Sequence, residues 1–394
     1  MSMIEDRAAQ DSSPAQQLHA RALDEAAVVE IAREFGAADV IGIGESTRFA
    51  RETFTIRERL TWELVREHGF RLLAVQDSAN AGERMDLFVR TGAGSAESAL
   101  ETAWRPHRTA EMAGALEWIR EFNLTHTEDP VQIIGVQPPK AGSADYDAVV
   151  DAVRAAAPDR LSELAGHLDP IRTVHTIADE HVQRARGIHP GRPFAEHARD
   201  AAALLESLAG ISEEVRARMR FIVEFHEQSV AGRGSFVGGD EPGAGRIMAE
   251  MRRTGRRAVY WDGISHTAAA PAGLGLADGS AAHSTVGSVL REHYGPGYAS
   301  IAIGFHHGNL GVAQVPDPAP DFLDALLGEI DLPVLWADLR GAGGPAVEPA
   351  KLRVISGVYD PARDAAEHML VASPAAAFDV LIHVREASPV RWLE

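Results

Sequence analysis

Short, nearly continuous apolar runs alternate along this chain with longer stretches of helical periodicity. Val40-Ile41-Gly42-Ile43-Gly44 interleaves branched apolar residues with glycine, the pattern of a buried strand closely approached by a neighbouring backbone. Arg71-Leu72-Leu73-Ala74-Val75-Gln76 and Val131-Gln132-Ile133-Ile134-Gly135-Val136-Gln137 repeat it, and both end in polar residues. Between these runs, residues 51–68 place Phe54, Leu60 and Leu64 at helical intervals and close on Gly69. Residues 81–90 form another helix, broken by Thr91-Gly92-Ala93-Gly94, and residues 110–123 put Leu116, Trp118, Ile119 and Phe122 on one face. A helix is also expected over residues 16–35, through Leu18, Leu23, Val28, Val29 and Ile31, after a loose polar stretch at residues 1–17. Strand, helix, strand, helix, strand is the signature of a parallel sheet with crossovers.

The pattern changes from about residue 145 to 231, where alanine, leucine and charged residues dominate and β-branched runs are few. This segment reads as an all-helical insertion or lid. Its histidines at 167, 175, 181, 189, 197 and 226 follow no i, i+4 repeat and read as surface residues. Glycines at 232, 234, 238, 239, 243 and 245 then suit a hinge or a solvated loop equally, ahead of a helix over residues 244–253. The sheet resumes with residues 258–263 followed by Ile264-Ser265-His266-Thr267, then residues 298–305, 333–339 and 378–384. The expected fold is α/β: a mostly parallel central sheet flanked by helices, with the all-helical insertion. The expected segments are a flexible 1–17, core halves at 18–143 and 236–394, and the insertion at 144–235.

Composition narrows the function. The 394 residues are 45% hydrophobic and 24% charged, ample for a sizeable core. A formal net charge of −19 argues against a nucleic-acid or anionic-membrane partner, since such binding needs clustered Lys and Arg. The absence of cysteine excludes disulfides, thiolate metal sites and a cysteine nucleophile. The N-terminus lacks a basic region followed by an apolar run, and no segment approaches the roughly 18 to 20 apolar residues of a membrane span, so a cytoplasmic location is expected.

In α/β sheets ligands sit outside the carboxyl ends of strands. Four strand ends here carry polar groups: Glu45 with Arg48, Gln76 with Asp77, Gln137, and Asp262 with His266. If they converge, a histidine beside a carboxylate serves as general base on water, and arginines hold a substrate anion or developing oxyanion. Two other readings fit the same residues. Ser46 or Thr47 suits a helix cap with Glu45 answering the dipole, and His266 suits a hydrogen-bonded core histidine. Adjacent His306 and His307 on a strand should point to opposite faces, and neither HExxH nor facial-triad spacing accompanies them, so no metal or other cofactor is expected. Gly263-Ile264-Ser265-His266-Thr267 lacks the last glycine of the serine nucleophile elbow. Gly42-Ile43-Gly44 lacks the third glycine of a dinucleotide fingerprint, and no Walker lysine is present.

Taken together, GESTRFARETFTIRERL, HGFRLLAVQDS, ALEWIREFNLTHTEDPVQIIGVQ, RRAVYWDGISHTA, VGSVLREHYGPGYASIAIGF and the segment from Leu352 to Glu386 resemble the erythromycin esterase family over nearly the whole length. The resemblance implies a metal-independent site at the sheet rim, where His and Glu activate water to open a macrolide lactone. It implies that Glu45 keeps the family's first glutamate, Arg57 the helix arginine and His266 the second histidine of a strand-end pair. It also exposes departures: Arg48 stands where the family has its presumed base histidine, Gln76 replaces a glutamate, Gln137 an aspartate and Gly263 the first histidine. An arginine cannot accept a proton at neutral pH, its pKa exceeding about 12. His107, in TAWRPHRTAEM, is either a replacement histidine at the same rim or a surface-loop histidine.

Three functions follow. One is an enzyme with altered acid/base chemistry, a lyase, isomerase, cyclase or tailoring hydrolase acting on a polyketide, macrolide or peptide natural product. There Glu45 and His266 are the acid/base pair, Arg48 and Arg57 bind an oxygen, and Gln76, Asp77, Gln137, Asp262 and His306 line the pocket. The second is a lactone esterase in which His107 or His306 replaces the missing base. The third is a non-catalytic small-molecule binding or self-resistance protein.

Overall fold

Residues 40–45 lie fully buried between two helical layers, which explains their apolar composition on both faces. The computed structural model describes residues 17–172, 191–228, 241–275, 282–355, 359–366 and 368–393. Its strands are β1 (Arg21–Ala22), β2 (Val40–Glu45), β3 (Leu72–Ser78), β4 (Gln132–Gln137), β5 (Ala258–Gly263), β6 (Ala272–Gly275), β7 (Tyr298–Asn309), β8 (Gln314–Val315), β9 (Val334–Asp338), β10 (Ala350–Arg353), β11 (His368–Val371) and β12 (Val380–Ala387). The main sheet has nine strands in the order β1-β9-β12-β7-β2-β5-β3-β4, with β8 paired to β7. It is parallel through its centre, where β12, β7, β2, β5 and β3 run together. The flanking pairs β1 with β9, β9 with β12 and β7 with β8 are antiparallel. The expected α/β class with a mostly parallel sheet is what the chain forms.

Gly44 shows why β2 carries glycine. A Cβ there would sit 2.1 Å from Thr267 Oγ1 and 2.8 Å from Ile264 Cα, so only glycine lets the turn Ile264–Thr267 settle on the strand. That turn is helical and does not continue the sheet. The helix expected over residues 16–35 is shorter, Glu25–Phe35, because Asp24 caps it by accepting from Ala27 N at 2.8 Å. Arg21 and Ala22 pair instead with Trp336 and Leu335. A three-stranded antiparallel sheet, β10-β11-β6, was not expected at all. No helix among the described residues is long and apolar enough to cross a membrane.

The chain divides into two units. The first, Met1–Asp77, Ala81–Gln137 and Gly239–Glu394, contains both sheets. The second comprises Ser78–Asn80 and Pro138–Gly238. Its described helices include Ser143–Ala156, Leu161–Leu168, Phe194–Ser207 and Glu213–Gln228, packed around Tyr146, Val149, Leu164, Leu168, Phe194 and Ile222. Residues 1–16, His175, His181, His189 and the glycines at 232, 234, 238 and 239 fall outside the described residues. Gly243 and Gly245 belong to the helix Glu241–Thr254 and not to a hinge.

His226 is not a surface residue: it is fully buried, with Nε2 2.9 Å from the Tyr146 hydroxyl. Burial lowers its pKa from 6.5 to about 4. Between those values the unfolded chain holds a proton on this side chain that the folded chain does not. Its contribution is complete above pH 6.5 and lost as pH falls toward 4, at most about 3 kcal/mol. Unfolding free energy measured across that window should fall less steeply in His226→Leu than in the wild type; parallel slopes would contradict this.

Candidate active site

Glu45 ends β2, and the helix Arg51–His68 starts six residues later. Ala50 is its N-cap, with no side-chain cap, so neither Ser46 nor Thr47 fills that role. Arg57, two turns in, donates to Glu45 Oε1 at 2.8 Å, with the two side chains 2% and 3% exposed. Its guanidinium lies 4.4 Å from the Trp261 ring centroid and 4.9 Å from that of Phe54. Burial lowers the Arg57 pKa; Glu45 opposes that shift, while nearby Arg48 adds to it.

A second cluster lies across the ends of β5 and β3. The pairing of Gly44 with Asp262 and of Val75 with Trp261 sets Gln76 level with Asp262. Arg48 Nη2 bridges them, donating to Gln76 Oε1 and, at 2.8 Å, to Asp262 Oδ1. The guanidinium stacks on Trp104, 4.8 Å from its ring centroid, and 12% of the side chain stays exposed. Asp262 also accepts from Gly263 N at 2.6 Å and from the Tyr260 hydroxyl. His266 Nε2 stands 4.0 Å from Asp262 Oδ1, an ion-pair distance and too long for a hydrogen bond. A Cβ on Gly263 would come within 3.0 Å of Arg48 Nη2 and 3.3 Å of Nη1, so the missing side chain at 263 is what makes room for the arginine.

The third group adjoins the second. Asp77 follows Gln76, and its Oδ2 accepts from Trp104 N at 2.9 Å and faces His107 Nδ1 at 3.0 Å. His107 closes the 3-10 turn Arg105–His107, just before Thr109 caps the helix Ala110–Thr125 through Met112 N. Asp77 and His107 are 3% and 5% exposed, and the Trp104 ring meets the His107 ring edge-on at 5.8 Å. A carboxylate on Nδ1 fixes the tautomer with the proton there, leaving Nε2 as acceptor. Trp104 therefore links Arg48 to the Asp77–His107 pair by its ring and its backbone.

The ends of β2, β3 and β5 thus meet as expected, and His107 is buried among them rather than on a surface loop. Gln137 is exposed at the end of edge strand β4, next to β3 and three strand places, about 14 Å, from β2. His306 lies three residues beyond the Ile303 that pairs with Glu45, grouped with His307 and Asp317. The expectation that these adjacent histidines face opposite sides is wrong: their Nδ1 atoms are 2.8 Å apart. Nδ1 sits close to the backbone, where two neighbouring side chains have diverged least, so rotation about χ1 and χ2 brings the nitrogens together at the strand edge. Trp104 and Tyr260 are site residues that sequence reasoning missed. The placement of Trp104 three residues before His107 was the available signal.

Solved structures match this fold over nearly their full lengths. A Bacillus cereus protein aligns with a TM-score of 0.64 at 18% identity, covering 97% of this chain and 100% of its own. A succinoglycan biosynthesis protein gives 0.63 at 20% identity, with 95% and 96% covered. A mutant of the erythromycin esterase EreC in its open conformation gives 0.58 at 15% identity, with 93% and 95% covered. No curated protein matches the sequence significantly. The erythromycin esterase family model matches residues 65–387, so this chain belongs to the erythromycin esterase family.

Proposed function

We propose that this chain hydrolyses an ester or lactone in a small natural product, a polyketide, macrolide or peptide, with its proton acceptor moved from position 48 to His107. The observation that carries this reading is the Asp77–His107 pair at 3.0 Å, one residue along the chain from the Gln76 that binds Arg48. Asp77 holds Nδ1–H, so Nε2 takes the proton of an attacking water. Arg48, held over Trp104 and bridging Gln76 and Asp262, supplies fixed positive charge for the oxyanion that forms on the carbonyl. Glu45 is tied to Arg57 in a dry ion pair, which suits it to shaping the strand end more than to accepting a proton. His266, 26% exposed beside Asp262, is placed to protonate a leaving alkoxide.

Isomerisation on the same scaffold would leave the mass of the substrate unchanged, and elimination would release a leaving group without adding water. The test is the full chain incubated with a panel of macrolides, linear polyketide esters and depsipeptides, followed by mass spectrometry. A ring-opened product heavier by one water, or two fragments of a linear ester whose masses sum to substrate plus water, supports hydrolysis. An isomeric product, or binding without turnover across the panel, overturns it.

A further inference from the structure

We propose that His306, His307 and Asp317 form a divalent transition-metal site at the far end of β7, sharing no residue with the clusters around Arg48 and His107. The β7–β8 hairpin builds it. Gly308 pairs with Val315 and Asn309 with Gln314, and continuing this antiparallel register sets Asp317 opposite His306. The two Nδ1 atoms are 2.8 Å apart, and each lies 3.6 Å from Asp317 Oδ1. Those longer separations exceed a hydrogen bond. A point equidistant from the three atoms lies about 2.0 Å from each, the bond length of Zn²⁺ to imidazole nitrogen and carboxylate oxygen. Two imidazoles and one carboxylate favour zinc, cobalt or nickel over magnesium and calcium, which select oxygen donors.

The surroundings hold the donors in place. Arg353, fully buried and paired with Asp364 at 2.6 Å, donates to the carbonyl of His306 and, at 2.9 Å, to that of Pro316. One rigid guanidinium thereby fastens both backbone segments that carry ligands, the kind of support that fixes a metal site. The Asp317 side chain is 77% exposed and that of His307 34%, so the remaining coordination positions open to water. The lack of a sequence motif is explained by the third donor arriving across a hairpin.

The test is equilibrium binding of Zn²⁺ to the untagged full chain after chelator treatment, with Mg²⁺ and Ca²⁺ in parallel. One zinc per chain is expected, with negligible binding of the other two. His307→Ala and Asp317→Asn, each shown by its melting curve to be folded, should weaken zinc at least tenfold. The d–d absorption of the Co²⁺-loaded protein should disappear in His307→Ala. Zinc binding that is absent, or equal in the wild type and both variants, overturns the proposal.

Discussion

Arg57→Met is expected to destabilise the chain by about 3–5 kcal/mol, because it leaves the Glu45 carboxylate buried without its partner. The guanidinium also fills the space between Phe54 and Trp261, and the shorter apolar side chain recovers only part of that packing. Removing both charges in Arg57→Met/Glu45→Leu should recover much of the loss, since a buried ion pair replaced by apolar residues is often close to neutral. Urea unfolding at pH 7 gives both values. A single variant as stable as the wild type would mean that the pair is solvated and that the end of β2 is wetter than described here.

Asp77→Asn is expected to lower kcat by about 10²–10⁴ while leaving the melting temperature much closer to that of the wild type. Trp104 N and His107 Nδ1 both meet the same oxygen, Asp77 Oδ2, so an asparagine carbonyl in that place keeps both contacts and the turn that carries His107. The asparagine lacks the negative charge, however, that stabilises the imidazolium formed when Nε2 takes a proton from water. Asp77 is a positioning residue in this account, so its loss should fall on kcat with little change in KM. It should also change the limb of the pH–rate profile that reports the histidine. A rise in KM and a fall in kcat together with a large loss of stability would assign Asp77 a structural role instead.

The central sheet was legible because β2, β3 and β5 are short apolar runs buried on both faces, and such runs carry their own boundaries. The helix over residues 16–35 was overextended because the apolar Leu18 and Leu23 run up to the periodic stretch, whereas Asp24 caps the helix and starts it at Glu25. Four-residue strands such as β10 and β11 are too short to show alternation. In the site, residue types were visible and partnerships were not. Arg48 meets Asp262 across 214 residues and Asp77 meets His107 across 30, contacts fixed by strand order and register. The exchange of side chains at 48 and 263 was seen as two losses. The structure places the two positions in contact, with the Arg48 guanidinium 3.0 Å from where a Cβ at 263 would sit. Gln137 was included because its strand ends in polar groups like the others, and nothing local marks β4 as the edge.

The central claim is that the proton acceptor is His107. The measurement that tests it most directly is water-addition turnover of His107→Gln, followed by product mass, beside the wild type and His266→Gln on the best substrate from the panel. The account predicts a fall of about 10²–10⁴ for His107→Gln with its fold intact, and a smaller loss for His266→Gln. Wild-type turnover in His107→Gln would contradict it.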